Sequence, residues 1–237
     1  MQIKIIAVGS SKWDRFIRRW GVSFLIGEDV LFDTFGKPKV LLKNIKKFGV
    51  DITKIKHIVL SHDDWDHVSG LWHLLSNGQN ITVHTCPGFN QELKDKIASF
   101  RVRVVEAKFL TEIKPDLFLS GQMQDLCAER CICEQALVIR SLKGLAIVTG
   151  CAHPGIVNII RTVQSQFKED KVYSILGGFH LKDNSDETNM GIIRELKDTG
   201  IHKILPMHCT GRRATKMMRG VFGYGFVKAR EGDTVEL

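Results

Sequence analysis

The chain has 237 residues, 43% of them hydrophobic and 25% charged, and a formal net charge of +8. These proportions are ordinary for a soluble globular protein. No apolar run approaches the ~20 residues that a membrane-spanning helix needs, so we expect no membrane partner. The positive charge is compatible with an anionic substrate or with a generally basic surface. Lys and Arg are scattered along the chain without a nucleic-acid-binding motif, which argues against nucleic acid as a partner.

The first residues and the cysteines indicate the cellular compartment. Residues 1–9 alternate between polar and apolar side chains and stop at Gly9, which predicts a first strand and not a signal peptide. Six Cys residues in a chain without an export signal favour thiols or metal ligands over disulfides. We therefore expect a cytoplasmic protein.

The first half of the chain alternates strand and helix patterns after an opening group of strands. The aromatic and basic stretch at 12–20 is either a loop or a turn of amphipathic helix, and we expect its side chains to pack. Strands are predicted at 22–26, 30–32, 81–85 and 102–106. Helices are predicted where Pro opens an apolar-periodic segment, at 38–49 and 87–99. This order predicts a mixed sheet covered by helices.

The second half repeats this alternation. Strands are predicted at 117–119, 135–140, 144–149, 172–176 and 201–205, and near Phe226 and Thr234. Helices are predicted at 154–167, 186–198 and 214–219. The pattern alone predicts one α/β or α+β domain made of two halves, about 1–115 and 116–237.

The stretch at 61–67 is the one around which the chain is organised. An apolar run at 57–60 predicts a buried strand before it, and an apolar-periodic segment at 68–75 predicts a helix after it. Such a strand-to-helix loop is where α/β sheets build their sites. A cation would also remove the repulsion between two closely spaced carboxylates. Four residues of the loop are good ligands for Zn, Fe or Mn: His62, Asp64, Asp66 and His67.

The pattern H-x-D-x-D-H resembles the H-x-H-x-D-H signature of the metallo-β-lactamase superfamily, with Asp64 where the second His usually stands. Four further segments, in chain order, resemble one branch of it: residues 31–34, 149–155, 177–181 and 206–211. That branch contains small metal-dependent hydrolases named dihydropterin ribofuranosyl-aminobenzene phosphate synthases. The resemblance implies the superfamily's α/β (α+β) fold, a four-layer αββα sandwich formed from the two halves.

The resemblance also implies which residues bind metal. His62 and Asp64 are implied to bind one ion, and Asp66, His67 and His208 are implied to bind a second. His153 is the best further candidate. The cofactor is one or two divalent ions, Zn in the first place and Fe or Mn as alternatives. Asp33, at the end of a predicted strand, is implied to orient a ligand; its alternative role is to cap a turn. The six ligands are His62, Asp64, Asp66, His67, His208 and His153.

Two positions of the superfamily pattern lack an obvious counterpart. Cys151 or His153 follows a strand in the way that the bridging Asp does. No His stands at the third motif, where Glu134 or Cys133 could bind instead, or the site could hold a single ion. His180, at another strand end, is either a ligand or a substrate contact.

Asp64 and a group of thiols leave a redox alternative open. A carboxylate in place of an imidazole shifts metal preference from Zn toward Fe or Mn. The diiron proteins of the superfamily also carry a carboxylate at this step. Three thiols, at Cys127, Cys131 and Cys133, could bind iron or an iron–sulfur cluster, although their spacing is not a standard one. No dinucleotide fingerprint or flavin domain accompanies them.

The first function hypothesis is a hydrolase that uses a metal-activated water on a small, anionic (phosphorylated or carboxylated) substrate. Asp66, or Asp64 if it does not bind metal, is the candidate general base. Thr210, Arg212 and Arg213 open a predicted helix and form either an anion site or a helix cap with surface arginines. The alternatives are an iron redox or electron-transfer protein on the same fold and a binding protein without catalysis.

Overall fold

The structure is a computed structural model that describes residues 1–77, 80–124, 131–168 and 170–236. The chain forms two compact units. Unit 1 is Met1–Lys108 together with the C-terminal segment that begins at Arg230, and unit 2 is Phe109–Ala229. Each unit combines a mixed sheet with helices, which confirms the predicted α+β class.

The elements of the described residues are numbered in chain order. The strands are β1 (Gln2–Gly9), β2 (Gly21–Ile26), β3 (Val30–Phe32), β4 (His57–Val59), β5 (Thr82–Thr85), β6 (Arg103–Glu106), β7 (Thr111–Lys114), β8 (Leu117–Leu119), β9 (Met123–Gln124), β10 (Cys133–Glu134), β11 (Leu137–Ser141), β12 (Gly144–Thr149), β13 (Val172–Gly178), β14 (Lys203–Met207) and β15 (Thr234–Glu236). The α-helices are α1 (Lys12–Phe16), α2 (Pro38–Lys47), α3 (Trp65–Val68), α4 (Leu71–Asn77), α5 (Gln91–Ala98), α6 (Ile156–Gln166), α7 (Asp186–Asp198) and α8 (Arg212–Phe222). Short 3₁₀-helices are Ile52–Lys54, His208–Thr210 and Gly223–Gly225.

The sheet of unit 1 has the order β15-β1-β2-β3-β4-β5-β6. Its pairings are antiparallel from β15 to β3 and parallel from β3 to β6. Helix α2 begins with Pro38, whose fixed φ suits a first helical turn, and buries Leu41 and Ile45. These positions lie four residues apart on one helix face, so burial of that face explains where the helix sits.

The large sheet of unit 2 has the order β14-β13-β12-β11-β8-β7, and β9 pairs with β10 separately. Its pairings are antiparallel from β7 to β12 and parallel from β12 to β14. Helices α6, α7 and α8 contribute to a buried apolar cluster with this sheet. The parallel strands are runs of apolar residues, as expected for strands buried on both faces, including Ile147, Ile175 and Ile204.

Both units place chemically active side chains at the carboxyl ends of parallel strands, the edge where α/β sheets carry their sites. In unit 1, Asp33 directly follows β3 and the 61–67 loop follows β4. In unit 2 the segments after β12, β13 and β14 carry the candidate residues Cys151, His153, His180 and His208.

The unit boundary differs from the one expected from the sequence. Strand β7 was not predicted; it pairs with β8, so unit 2 begins earlier than residue 116. The terminal strand β15 pairs with β1 and therefore belongs to unit 1, not to the second half. Phe226 forms an isolated bridge with Ile204 and no strand.

The aromatic stretch at 12–20 also differs from expectation. It contains the short helix α1, but Trp13 and Phe16 are 66% and 77% exposed, so the prediction that these side chains pack is wrong. They stack on each other with ring centroids 5.5 Å apart, and Trp20 alone of the three is buried. No helix among the described residues is long and apolar enough to cross a membrane.

Candidate metal centre

Asp33 and His67 are in contact at the strand ends of unit 1. Asp33 is fully buried and adopts a left-handed φ of 56°. One of its oxygens accepts a hydrogen bond from the backbone N–H of Ser61 at 2.7 Å. The other accepts from Ser61 Oγ at 2.7 Å and lies 2.6 Å from Nδ1 of His67. A carboxylate at Nδ1 fixes the ring orientation and tautomer that make Nε2 a metal ligand.

The four predicted ligands of the 61–67 loop lie together. The rings of His62 and His67 are fully buried, with centroids 4.0 Å apart. An oxygen of Asp66 lies 3.2 Å from His67 Nε2, and an oxygen of Asp64 lies 3.7 Å from His62 Nε2. Asp66 is nearly buried, whereas the side chain of Asp64 is 28% exposed. Two imidazoles and two carboxylates therefore converge within unit 1.

The carboxylates control protonation of this group. Burial works against the charged form of His67, but the charges of Asp66 and Asp33 outweigh it and hold the His67 pKa well above its usual value. Burial raises the pKa of Asp33, even though His67 and Ser61 act in the opposite direction. The carboxylates thus favour a positive charge at His67, and a divalent cation can replace that proton.

Glu134 holds His153 in unit 2 as Asp33 holds His67 in unit 1. Glu134 is fully buried, and one oxygen accepts from the backbone N–H groups of Cys151 and Ala152 at 3.0 and 2.9 Å. The other accepts from the backbone N–H of His153 at 2.8 Å and lies 2.9 Å from its Nδ1. Both oxygens are engaged in this way, so the contacts favour an orienting role for Glu134 over the ligand role considered from the sequence.

Three further donors lie close together in unit 2. Sγ of Cys151, a ring nitrogen of His180 and Sγ of Cys209 are all within 4.8 Å of one another. The Cys209 thiol donates to the backbone carbonyl of Cys151 at 3.5 Å. The His180 ring lies beside that of His153, with centroids 4.6 Å apart. His208, adjacent in sequence to Cys209, is fully buried.

The protonation of Cys209 and His180 is linked. Burial alone would raise the pKa of the Cys209 thiol, but its contacts with Cys151, His208 and His180 hold that pKa well below the usual value. The hydrogen bond with Cys209 is the main cause that raises the pKa of His180. The contact between the Cys209 sulfur and the His180 ring thus contributes to both pKa shifts, downward at Cys209 and upward at His180.

The three residues of the predicted anion site lie at or just before the start of α8. The Thr210 hydroxyl donates to a carbonyl at the end of β14 and accepts from a backbone N–H after β13, so it is engaged within the fold. Gly211 is the N-cap of α8, so the alternative that Thr210 caps the helix is wrong. Arg213 pairs with Asp186 at 2.8 Å. Arg212 is exposed in the first helical turn.

The predicted iron-binding thiols lie in different environments. Cys127 is outside the described residues. Cys131 is exposed, whereas Cys133 is buried on β10, with Nε2 of Gln124 3.6 Å from its sulfur.

Two participants had no assigned role in the sequence analysis. Ser61 contacts Asp33 by both its backbone and its hydroxyl, and the hydroxyl lies 2.8 Å from Nδ1 of His62. Its position between a strand and the first ligand was the available signal. Cys209 was not singled out from the sequence, although it directly follows His208 at a strand end.

The comparisons with known proteins agree with this geometry. A sequence profile of the metallo-beta-lactamase superfamily matches residues 21–96, which contain the 61–67 loop. The chain is 28% identical to 7,8-dihydropterin-6-methyl-4-(beta-D-ribofuranosyl)-aminobenzene-5'-phosphate synthase of Methanocaldococcus jannaschii, over 93% of this chain and 91% of the relative. The crystal structure of Tm1679, a metal-dependent hydrolase of the beta-lactamase superfamily, has a TM-score of 0.79 at 26% identity and covers 100% and 99% of the two chains. The chain is therefore similar to proteins of the metallo-β-lactamase superfamily in part of its sequence and in its fold.

The metallo-β-lactamase fold predicted from the resemblance is thereby confirmed. The metallo-beta-lactamase fold protein YhfI from Bacillus subtilis has a TM-score of 0.70 at 15% identity over 99% of each chain. This likeness supports the fold alone. The superfamily binds divalent metals, and the donors of both units fit such ions. Nδ1 of His67 and Nδ1 of His153 each face a buried carboxylate, the arrangement that accompanies metal-binding imidazoles.

Proposed function

We propose that the protein is a metal-dependent hydrolase of a small anionic molecule, phosphorylated or carboxylated. The observation that carries the proposal is the pair of carboxylate–imidazole contacts at strand ends, Asp33 with His67 and Glu134 with His153. The similar archaeal protein is named as the synthase of a phosphate, and Tm1679 as a metal-dependent hydrolase. The first name contains a phosphate and the second a metal dependence, and together they support the proposal.

The proposed metal ligands follow the superfamily pattern. The ions are one or two in number, with Zn expected first because imidazoles predominate. Fe or Mn are the alternatives because Asp64 adds a hard oxygen donor. Asp33 and Glu134 orient ligands, and Cys151 is the candidate for the bridging position. The ligands are His62, Asp64, Asp66, His67, His153 and His208.

A divalent ion held by these residues would lower the pKa of a bound water toward ~7 and would polarise a substrate oxygen. Asp66, nearly buried and 3.2 Å from His67 Nε2, accepts the proton of the attacking water, or Asp64 does so if it does not bind metal. Asp33 keeps the His67 ring in one orientation throughout. Arg212, in the first turn of α8, supplies positive charge for the substrate anion together with the backbone N–H groups of that helix.

The test begins with the full-length protein purified without oxygen or chelator. Elemental analysis is read beside the visible spectrum, and phosphomonoesters, phosphodiesters and carboxylic esters are then screened as substrates. We expect bound Zn or Mn, no colour, and hydrolysis that falls at least ~100-fold in Asp66→Asn, the size of a lost general base. Asp63→Asn is the matched control because Asp63 lies in the same loop but accepts from the backbone N–H of Asn90.

Other outcomes identify the two rival functions. Bound iron with a visible charge-transfer band would favour the iron redox function over the hydrolase. A chain that holds no ion tightly and hydrolyses no member of the panel would favour the binding protein.

A further inference from the structure

Three donors of unit 2 lie at the ends of three successive parallel strands. Cys151 follows β12, His180 follows β13 and Cys209 lies just beyond β14. Their donor atoms lie within 4.8 Å of one another, and both thiols are buried while His180 reaches solvent. Donors that share one tetrahedral zinc ion at bond lengths of ~2.0–2.3 Å are separated by roughly 3.3–3.8 Å. Side-chain rotations that move the atoms by about an ångström would bring the three to those separations.

The backbone around these donors leaves space for the sulfur atoms. A Cβ at Gly178 would lie 2.6 Å from Sγ of Cys209 and 2.4 Å from the carbonyl oxygen of Gly150. His180 and His208 have φ values of 51° and 52°, a left-handed conformation that is uncommon outside glycine. Such conformations occur preferentially at functional sites. Gly178 and the left-handed turn at His180 together bring the thiol of Cys209 next to the imidazole.

The chemistry of this group differs from that of the 61–67 loop. Cys151 and Cys209 form no disulfide. The Cys209 thiol contacts the backbone carbonyl oxygen of Cys151. Two thiolates and one imidazole are soft donors that select zinc over hard cations such as Mg²⁺, Ca²⁺ or Mn²⁺. The 61–67 loop offers imidazoles and hard carboxylate oxygens but no thiolate, so it discriminates less strongly between zinc and Mn²⁺ or Fe²⁺. The two sets of donors therefore differ in their selectivity for zinc.

We propose that Cys151, His180 and Cys209 form a binding site for a thiophilic divalent ion, zinc, within unit 2. The proposal goes beyond the proposed function, whose six metal ligands are imidazoles and carboxylates, and it assigns Cys151 to this zinc ion instead of to the bridging position. It needs no residue of unit 1.

The experiment uses the full-length protein, freed of metal and kept reduced and without oxygen, and titrates it with Co²⁺. Thiolate-bound cobalt has a near-ultraviolet charge-transfer band, and cobalt bound by imidazole and carboxylate alone does not. We expect the band in the parent protein and loss of about half of it in Cys151→Ser and in Cys209→Ser. His180→Ala, at an exposed side chain, should weaken zinc binding about tenfold or more in competition with a chelator.

Cys131→Ser is the matched control, since Cys131 is an exposed thiol of the same unit. The band should be unchanged in this variant. Absence of the band in the parent protein would overturn the proposal, and so would a band that disappears in Cys131→Ser but persists in Cys209→Ser. If Cys209→Ser does not fold, unchanged zinc affinity in His180→Ala would also overturn it.

Hydrolysis separates this proposal from the proposed function. Metal-dependent hydrolysis without a thiolate–cobalt band would support the proposed function and overturn the zinc site. A band that depends on Cys151 and Cys209, in a protein that hydrolyses no member of the panel, would support the zinc site and count against the proposed function.

Discussion

Oδ2 of Asp33 lies 2.6 Å from Nδ1 of His67, at the carboxyl end of a parallel strand of unit 1. Glu134 contacts Nδ1 of His153 at 2.9 Å in unit 2. In both units the carboxylate is fully buried and also accepts hydrogen bonds from the backbone. Each unit thus has its own device for orienting an imidazole, although one carboxylate follows a strand and the other lies on the two-residue strand β10.

Asp33→Asn should weaken metal binding by roughly 10–100-fold, because an amide cannot hold the His67 tautomer as a carboxylate does. Chelator competition with zinc measures the change. Asp51→Asn is the control, since Asp51 is an exposed cap of a 3₁₀-helix in the same unit. Equal affinity in Asp33→Asn and the parent protein would remove Asp33 from the metal centre.

Glu134→Gln should destabilise unit 2 and weaken metal binding, because one amide oxygen cannot replace two acceptors for three backbone N–H groups. Buried donors without a partner cost about 1–3 kcal/mol each, so the free energy of unfolding should fall by at least that amount. Denaturant unfolding in chelator measures stability apart from metal. Glu187→Gln, an exposed position at the start of α7, should leave both quantities unchanged. A Glu134→Gln variant as stable as the parent would contradict the orienting role.

The strand ends could be predicted from the sequence because apolar runs mark buried strands and ligand-type residues follow them directly. His62 and His208 were found in this way, each a few residues after an apolar run. The contact between Glu134 and His153 could not be found, because it joins residues of separate segments through a strand of two residues. A strand that short has no hydrophobic period.

Other features were missed for the same kind of reason. Strand β7 has the sequence T-E-I-K, which is mostly polar and partly exposed, so no apolar run indicates it. The exposure of Trp13 and Phe16 was mispredicted because an aromatic residue is usually buried, and composition does not reveal a pair that stacks at the surface.

Asp64→His should raise the affinity for Zn²⁺ relative to Fe²⁺, because it replaces a hard oxygen donor with an imidazole. Asp64 Oδ2 lies 3.7 Å from His62 Nε2, so a side chain there is well placed to share an ion with His62. Metal competition followed by elemental analysis reports the ratio. Asp63→His, one residue away, makes the same change of charge and is the control. Measuring the Zn²⁺ to Fe²⁺ ratio in this variant separates a ligand effect from a general charge effect. An unchanged preference in Asp64→His would remove Asp64 from the ligand set.

Gly178→Ala should destabilise the protein by about 1–3 kcal/mol, because the added methyl group meets a backbone oxygen that cannot rotate away. The same methyl group presses on Cys209, so the thiolate–cobalt band should also weaken. Gly191→Ala is the matched control on the exposed side of α7, where a Cβ meets nothing within 4 Å. That variant should be as stable as the parent or more stable, because alanine favours a helix over glycine. Thermal unfolding compares the two, and equal melting temperatures would contradict the steric argument.

His84 should make folding stability depend on pH below neutrality. It is 4% exposed, and its Nε2 lies 3.0 Å from Nδ1 of His57. Burial, and then the charges of His57 and Arg103, lower the His84 pKa to about 4. The unfolded chain has a His pKa near 6.5 and so binds more protons than the folded chain between these values. Stability is therefore complete above about pH 6.5 and falls as the pH approaches 4, by about 3 kcal/mol in total.

Denaturant unfolding at a series of pH values from 4 to 7, in chelator, measures this dependence. His84→Gln should flatten the curve, since the group that gains a proton on unfolding is gone. His73→Gln removes an exposed imidazole from α4 and should leave the slope as it is in the parent protein. The difference between the parent and His84→Gln curves isolates the contribution of His84, because every other titrating group is present in both. Parallel curves would mean that His84 keeps an ordinary pKa in the folded protein.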